Sequence, residues 1–123
     1  MPSKMVIAFG PFKDFIADGV RAGDTIHLSG VVSIDAQGKT VHAGDIVKQG
    51  QQAYRNLREV LEKFGTTMDS IVDETLFVTD MGAIFGTRAE AYGGNPQLTQ
   101  SLIGVKEFVM PDLLIEINVV AHV

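Results

Sequence analysis

The stretch LLIEINVVAHV, residues 113–123, is strongly apolar and contains a single acidic residue, Glu116. Ile and Val, which favour β-strands, make up much of it. A strand that is apolar at almost every position is typical of one covered on both faces. We therefore expect residues 113–123 to form a strand of a sheet whose two faces are both covered.

An amphipathic helix is predicted between Asp45 and Gly65. Apolar residues recur there at helical spacing and form one stripe. The stripe consists of Ile46, Ala53, Leu57, Val60, Leu61 and Phe64. Asp45 is a suitable N-cap, and Gly65 stands where a C-cap glycine is expected. The remaining polar residues are expected mostly on the solvent side: Gln49, Gln52, Arg55, Arg58, Glu59 and Lys63.

Four further runs predict strands: residues 20–22, 25–29, 71–79 and 98–105. A second, shorter helix is predicted over residues 81–92, and the Gly-Gly-Asn-Pro sequence at 93–96 ends it. The order strand, strand, helix, strand, helix, strand, strand indicates one α+β domain over residues 1–123. Its two helices can cover one face of a mixed sheet. The other face would be apolar and exposed in a monomer, which indicates an interface between subunits.

The composition argues against several kinds of partner. The chain of 123 residues carries 10 Lys plus Arg against 15 Asp plus Glu, a net charge of -5. This balance disfavours broad contact with nucleic acid or anionic lipid, so we expect neither as a partner. There is no cysteine, and His27, His42 and His122 lack metal-ligand spacing, so no metal site is expected. Without a signal peptide or a long apolar run, a cytoplasmic location is expected.

Several motifs, in this order and spacing, resemble the YjgF/RidA family of reactive intermediate deaminases: residues 20–30, 56–57, 77–81 and 111–117. The resemblance implies a chorismate-mutase-like fold and a homotrimer with a ligand cleft between each pair of subunits. It also implies hydrolysis of small enamines and imines to 2-oxo acids and ammonia. An example is 2-aminoacrylate, whose imine tautomer is 2-iminopropanoate. No metal or organic cofactor is implied.

The resemblance also assigns expected site residues. Glu116 matches the family's glutamate, which positions the attacking water. Ser29 and Gly30 match the Ser-Gly pair at the end of the cleft strand. Phe12 matches a tyrosine in a Gly-Pro-Tyr loop, and Ile16 is a competing match for the same position.

The family's substrate-binding arginine is matched here by Gln100. Glutamine is uncharged and lacks the paired N–H groups with which a guanidinium holds a carboxylate. Arg88, which falls near a family asparagine, or Lys106 is a candidate for supplying the missing charge. We therefore expect Gln100 and Arg88 to contact substrate, and we expect an altered or weakened substrate choice.

Two functional hypotheses remain open at this point. The first is an imine hydrolase with altered specificity, and the second is a non-catalytic trimer that binds a small metabolite or regulates a partner through the same clefts. Structural roles for the site residues also remain open. Glu116 can face water or form an interface salt bridge, Ser29 can hydrogen-bond to backbone, and Gln100 can be a polar residue of a subunit interface.

Overall fold

The computed structural model describes residues 3–83, 85–94 and 97–123. Within them, seven strands form one mixed sheet with the order β1-β2-β3-β7-β5-β6, and β4 also pairs with β7. The strands are β1 (Lys4–Ile7), β2 (Gly19–Ala22), β3 (Thr25–Leu28), β4 (Val31–Val32), β5 (Ile71–Val78), β6 (Thr99–Gly104) and β7 (Ile115–His122). The β5–β6 pair is parallel, and the other pairs are antiparallel. The mixed α+β fold expected from the sequence is confirmed.

Helix α1 (Ile46–Lys63) crosses one face of the sheet. The Asp45 side chain accepts a hydrogen bond from Lys48 N (3.0 Å), and Gly65 has a positive φ of 76°, so both predicted caps are present. The apolar stripe packs against the sheet together with Ile26, Leu76, Ile115 and Ile117, and all of its residues except the partly buried Ile46 are buried. Each fully buried Leu or Ile contributes roughly 1.5–3 kcal/mol. This packing therefore fixes α1 on β7.

The second predicted helix is divided into two elements in the structure. A 3₁₀ turn (Met81–Ala83) precedes α2 (Phe85–Ala91), and Ile84 lies outside the described residues. Asp80 caps the turn, since its carboxylate accepts a hydrogen bond from Gly82 N (3.1 Å). Of the predicted breaker at 93–96, Asn95 and Pro96 lie outside the described residues. No helix in the described ranges is long and apolar enough to cross a membrane.

Two strands were not predicted from the sequence. β1 is an exposed edge strand, and β4 has only two residues, so neither produces a clear alternating pattern. The last strand also differs from the expectation. It begins at Ile115, and its side chains alternate between a buried face and a face that the protomer leaves uncovered.

The uncovered face is more polar than the sequence suggested. Asn118 of β7 lies opposite Thr75 of β5, which lies beside Ser101 of β6, and all three share this face. Both helices pack on the other side, because the buried face carries Ile115, Ile117, Val119 and Ala121. Val120 and Phe77 share this face with Glu116, so the face is only partly apolar, whereas the sequence predicted an apolar one.

Candidate functional site

A cleft of about 1100 Å³ opens beside the β3–β4 connection. Its walls are the loop between β1 and β2, residues 29–36, residues 107–113, one side of α1 and Glu116 of β7. The structure brings together in this cleft five of the residues singled out from the sequence: Phe12, Ile16, Ser29, Gly30 and Glu116.

Glu116 lies directly against the backbone of Gly30. A Cβ at residue 30 would be 2.6 Å from Glu116 Oε2 and closer still to Glu116 Cδ, so only glycine leaves this carboxylate its present place. Among the described residues, no group donates a hydrogen bond to the Glu116 side chain, which is partly buried. Burial raises the pKa of Glu116 above its usual range. The carboxylate therefore lines the cleft without a hydrogen-bond donor from the described residues.

Ser29 holds the loop between β1 and β2 in place. Its Oγ donates a hydrogen bond to Ala17 O (2.6 Å), and its N–H donates to Asp18 O (3.0 Å). The Asp18 carboxylate in turn accepts hydrogen bonds from Phe9 N (2.7 Å) and Gly10 N (2.9 Å). The Ser29 hydroxyl thus donates its proton to the backbone, which is the structural role left open by the sequence. Its oxygen can still accept a hydrogen bond from a ligand.

This loop presents Phe12 and Ile16 to the cleft, with side chains 39% and 55% exposed. Asp18, whose bonds close the loop, was not recognised from the sequence. Its signal was weak, because an Asp before a Gly in a loop is common and indicates only a turn.

Two amide side chains of α1 shape the other walls. Asn56 Nδ2 donates to Val32 O (2.9 Å) and Ile34 O (3.1 Å), which fixes the segment after Gly30. Gln49 Nε2 donates to Asp112 O (2.8 Å), and Gln49 Oε1 accepts from Leu114 N (2.8 Å). The expected solvent position of Gln49 was therefore wrong. Its side chain is fully buried because these backbone groups satisfy its polar atoms.

Gln100 and Arg88 do not line this cleft in the protomer. Gln100 Nε2 donates a hydrogen bond to Glu74 Oε1 (2.8 Å), and Arg88 Nε donates to the same oxygen (3.0 Å). Glu74 is fully buried in β5, on the helix side of the sheet. Glu116 pairs with Phe77 and so lies on the opposite face.

The Glu74 cluster is completed by two tyrosines. Tyr54 Oη (2.9 Å) and Tyr92 Oη (2.5 Å) both donate to Glu74 Oε2. Burial, and then the charge of Glu74, raise the pKa of Tyr54 and of Tyr92 well above the usual range, so both stay protonated as donors. Sequence reasoning missed Glu74, although it stands at an inward position of the alternating run before Leu76 and Val78.

Lys106 is the remaining candidate for the missing positive charge. Lys106, the other proposed charge donor, is exposed and does not line the cleft, whereas its neighbour Glu107 does. In residues 3–83, 85–94 and 97–123, no group of three or more His, Asp or Glu side chains is placed to hold a metal ion.

Comparison with known proteins places this chain in a family. The family model described as Endoribonuclease L-PSP matches residues 6–123. A 2-iminobutanoate/2-iminopropanoate deaminase from Mus musculus is 32% identical over 90 residues. That match spans 73% of this chain but only 63% of the mouse protein.

Solved structures agree with this match. A Yersinia pestis protein of unknown function from the conserved Rid protein family is 28% identical, with a TM-score of 0.87 over 98% of this chain and 100% of its own. A Mycobacterium tuberculosis protein, described as a member of the highly conserved YjgF/YER057c/UK114 family, is 24% identical. Its TM-score is 0.84 over 98% of this chain and 100% of its own, which supports the fold. The chain belongs to the YjgF/Rid family.

Proposed function

We propose that this protein hydrolyses a small imine, or the enamine tautomer of one, to a carbonyl compound and ammonia. The observation that carries the proposal is the Glu116 carboxylate, which lies against Gly30 in a cleft and receives no hydrogen bond from the described residues. The activity in the name of the mouse relative supports the reaction class. Family membership supports the same reading.

Glu116 acts first as a base and then as an acid. As water attacks the iminium carbon, the C=N electrons move to nitrogen and Glu116 accepts a proton from the water. The protonated Glu116 then gives that proton to the amine nitrogen of the carbinolamine. When the carbinolamine collapses, Glu116 takes the hydroxyl proton, the C=O bond forms and ammonia leaves. The proton on Glu116 then passes to ammonia, which gives ammonium and restores the carboxylate. A pKa raised by burial brings the carboxyl closer to neutral pH, where such transfers are efficient.

We also propose that the working form is a homotrimer with its clefts completed by neighbouring subunits. Phe15 and Val109 line the cleft, yet their side chains are 86% and 102% exposed in the single chain. Apolar side chains in that position favour cover by another protein surface. The uncovered sheet face and the free edges of β1 and β6 offer further surface for the same assembly.

Substrate choice is expected to differ from that of an arginine-bearing enzyme. Gln100 stands in the position matched to the arginine, and both Gln100 and Arg88 donate to Glu74. We therefore propose weak activity on 2-iminopropanoate. Among the described residues, the lining of the cleft holds no positive side chain to anchor a substrate carboxylate. This also favours the rival function, a trimer that binds a small metabolite without catalysis.

Ammonia release separates these two functions. Imines are generated in place, 2-iminopropanoate by a dehydratase and simple aldimines by an amine oxidase, and ammonia is followed with and without the protein. Acceleration of any of these hydrolyses supports the enzyme. If none is accelerated at micromolar protein, while calorimetry shows that an amine or a carbonyl product binds, the chain is a binding protein.

A further inference from the structure

The cleft is lined by acidic groups and by no basic group that the structure describes. The carboxyl side chains in its wall belong to Asp18, Asp35, Glu59, Glu107 and Glu116. Of the lining residues described, none is Lys, Arg or His. Two cations contact lining residues from outside the wall. The Arg55 guanidinium donates a hydrogen bond to Gln52 Oε1 (2.9 Å), and the Lys63 ammonium lies 5.0 Å from the ring centroid of Phe9.

Not all of these carboxylates are engaged within the protein. Asp18 and Asp35 accept hydrogen bonds from backbone N–H groups of their own loops. Within the described residues, the side chains of Glu59, Glu107 and Glu116 accept none. Their negative charge is therefore available to a ligand. In the single chain, a carboxylate ligand would meet repulsion from them, and no described lining residue supplies a compensating cation.

The rest of the lining is largely aromatic and aliphatic. Its aromatic members are Phe9, Phe12, Phe15 and Phe108. Phenyl faces attract organic cations, and the apolar side chains favour a ligand with a hydrocarbon part. Charge and lining thus select the same kind of molecule.

We propose that the cleft takes a small organic cation that has an apolar group and no carboxylate. In terms of the proposed function, on which this substrate class rests, the substrate is the protonated imine of a primary amine rather than of an amino acid. Oxidation of a primary amine at its α-carbon is the class of reaction that supplies such an imine. Hydrolysis gives an aldehyde or ketone and ammonium, so no further reactant is needed.

Calorimetric titration of the assembled protein with three phenyl compounds tests the proposal. 2-Phenylethylamine is a cation, phenylalanine is a zwitterion, and phenylpyruvate is an anion, while the apolar group is the same. We expect the amine to bind about tenfold or more tightly than phenylpyruvate, and added salt to weaken it. Phenylpyruvate or phenylalanine binding as tightly as the amine overturns the proposal, since a neighbouring copy would then supply a cation.

Charge variants locate the effect in this cleft. Glu107→Gln and Glu59→Gln are each expected to weaken amine binding by about two- to fivefold, as befits exposed carboxylates. Glu62→Gln removes the same charge from an exposed position of α1 outside the cleft and is the matched control. Equal effects of Glu107→Gln and Glu62→Gln would mean that net charge, not the cleft, attracts the amine, and would overturn the proposal.

The two proposals fail in different ways. Tight amine binding with no acceleration of any imine hydrolysis would support the proposed ligand class and contradict the proposed enzyme activity. If the protein hydrolyses the imine of phenylalanine faster than the imine of 2-phenylethylamine, the enzyme activity is supported and the proposed ligand class is contradicted.

Discussion

Gly30 and Glu116 are so close that a side chain on one displaces the other. A Cβ at residue 30 would lie 2.6 Å from Glu116 Oε2, nearer than real Cβ contacts come. The residue that would have to move is a flexible carboxylate at the cleft, not backbone. The glycine therefore serves the position of Glu116 more than the stability of the fold.

Gly30→Ala tests this relationship. The variant is expected to fold with a free energy of unfolding within about 1 kcal/mol of the parent, because Glu116 can swing aside. Its kcat for imine hydrolysis should fall by about 100-fold, since a displacement near 1 Å is enough for such a loss. Gly86→Ala, where an added Cβ meets nothing within 4 Å, is the control and should leave kcat unchanged.

The pH dependence of activity follows from the burial of Glu116. Burial raises its pKa, and the carboxylate must be deprotonated to accept the proton of water. We predict that kcat/KM rises with pH along a limb whose midpoint lies above the ordinary Glu value of about 4.3. A limb centred at or below that value would show that another group controls the reaction.

Stability should respond to the same group with the opposite sign. The folded chain holds the Glu116 proton more tightly than the unfolded chain does. The protonated Glu116 therefore contributes fully to the free energy of unfolding below the pKa of the unfolded chain. That contribution is lost as pH rises through the raised pKa of the folded chain. Glutamine does not ionise, so Glu116→Gln avoids the cost of burying a charged carboxylate at neutral pH. The variant should then be at least as stable as the parent, as urea titrations can check.

Among the polar interactions of the chain, the hydrogen bonds to Glu74 are predicted to contribute most to stability. Glu74→Gln removes the charge that Arg88 pairs with. It leaves one acceptor oxygen and one NH₂ group facing four donors. Breaking a buried pair costs roughly 3–5 kcal/mol, and we expect the lower end because 15% of the Arg88 side chain is exposed. Urea unfolding measures the loss. Glu90→Gln on the exposed side of α2 should change stability by less than about 0.5 kcal/mol.

Local signals in the sequence were enough for α1 and the hairpin of β2 and β3. The helix carries its own cap at Asp45 and its own stripe, and a Gly-Asp turn joins the two strands. The cleft residues Ser29, Gly30 and Glu116 were found through family motifs, because their closeness depends on the pairing of β4 with β7. Nothing local marks that pairing.

The residues around Glu74 could not be assembled from the sequence. The four donors come from different elements: Tyr54 from α1, Arg88 from α2, Tyr92 from the residue after α2, and Gln100 from β6. Each is an ordinary residue for its position. Only the fold shows that they share one carboxylate. Gln49 was misplaced for a related reason, because its partners Asp112 and Leu114 lie more than sixty residues away.

Assembly is predicted to be trimeric. The family resemblance implies three subunits. Exposed Phe15 and Val109 at the cleft, with the uncovered sheet face, give a physical reason for assembly, since one chain leaves them in water. Light scattering at micromolar concentration should give the mass of three chains. The mass of one chain under these conditions would mean that the cleft functions within a single protomer.

Glu116→Gln provides the most direct test of the central claim, that the Glu116 carboxylate drives imine hydrolysis. The two side chains have nearly the same size, so packing and assembly should survive, while the group that accepts the proton of water is lost. In the ammonia-release assay, with the imine that the parent hydrolyses fastest, we expect at least a 100-fold loss of kcat, on the order of general-base effects. Glu62→Gln, at an exposed position of α1 outside the cleft, should retain kcat. Ammonia release by Glu116→Gln at the parent rate would contradict the account and make Glu116 a structural residue.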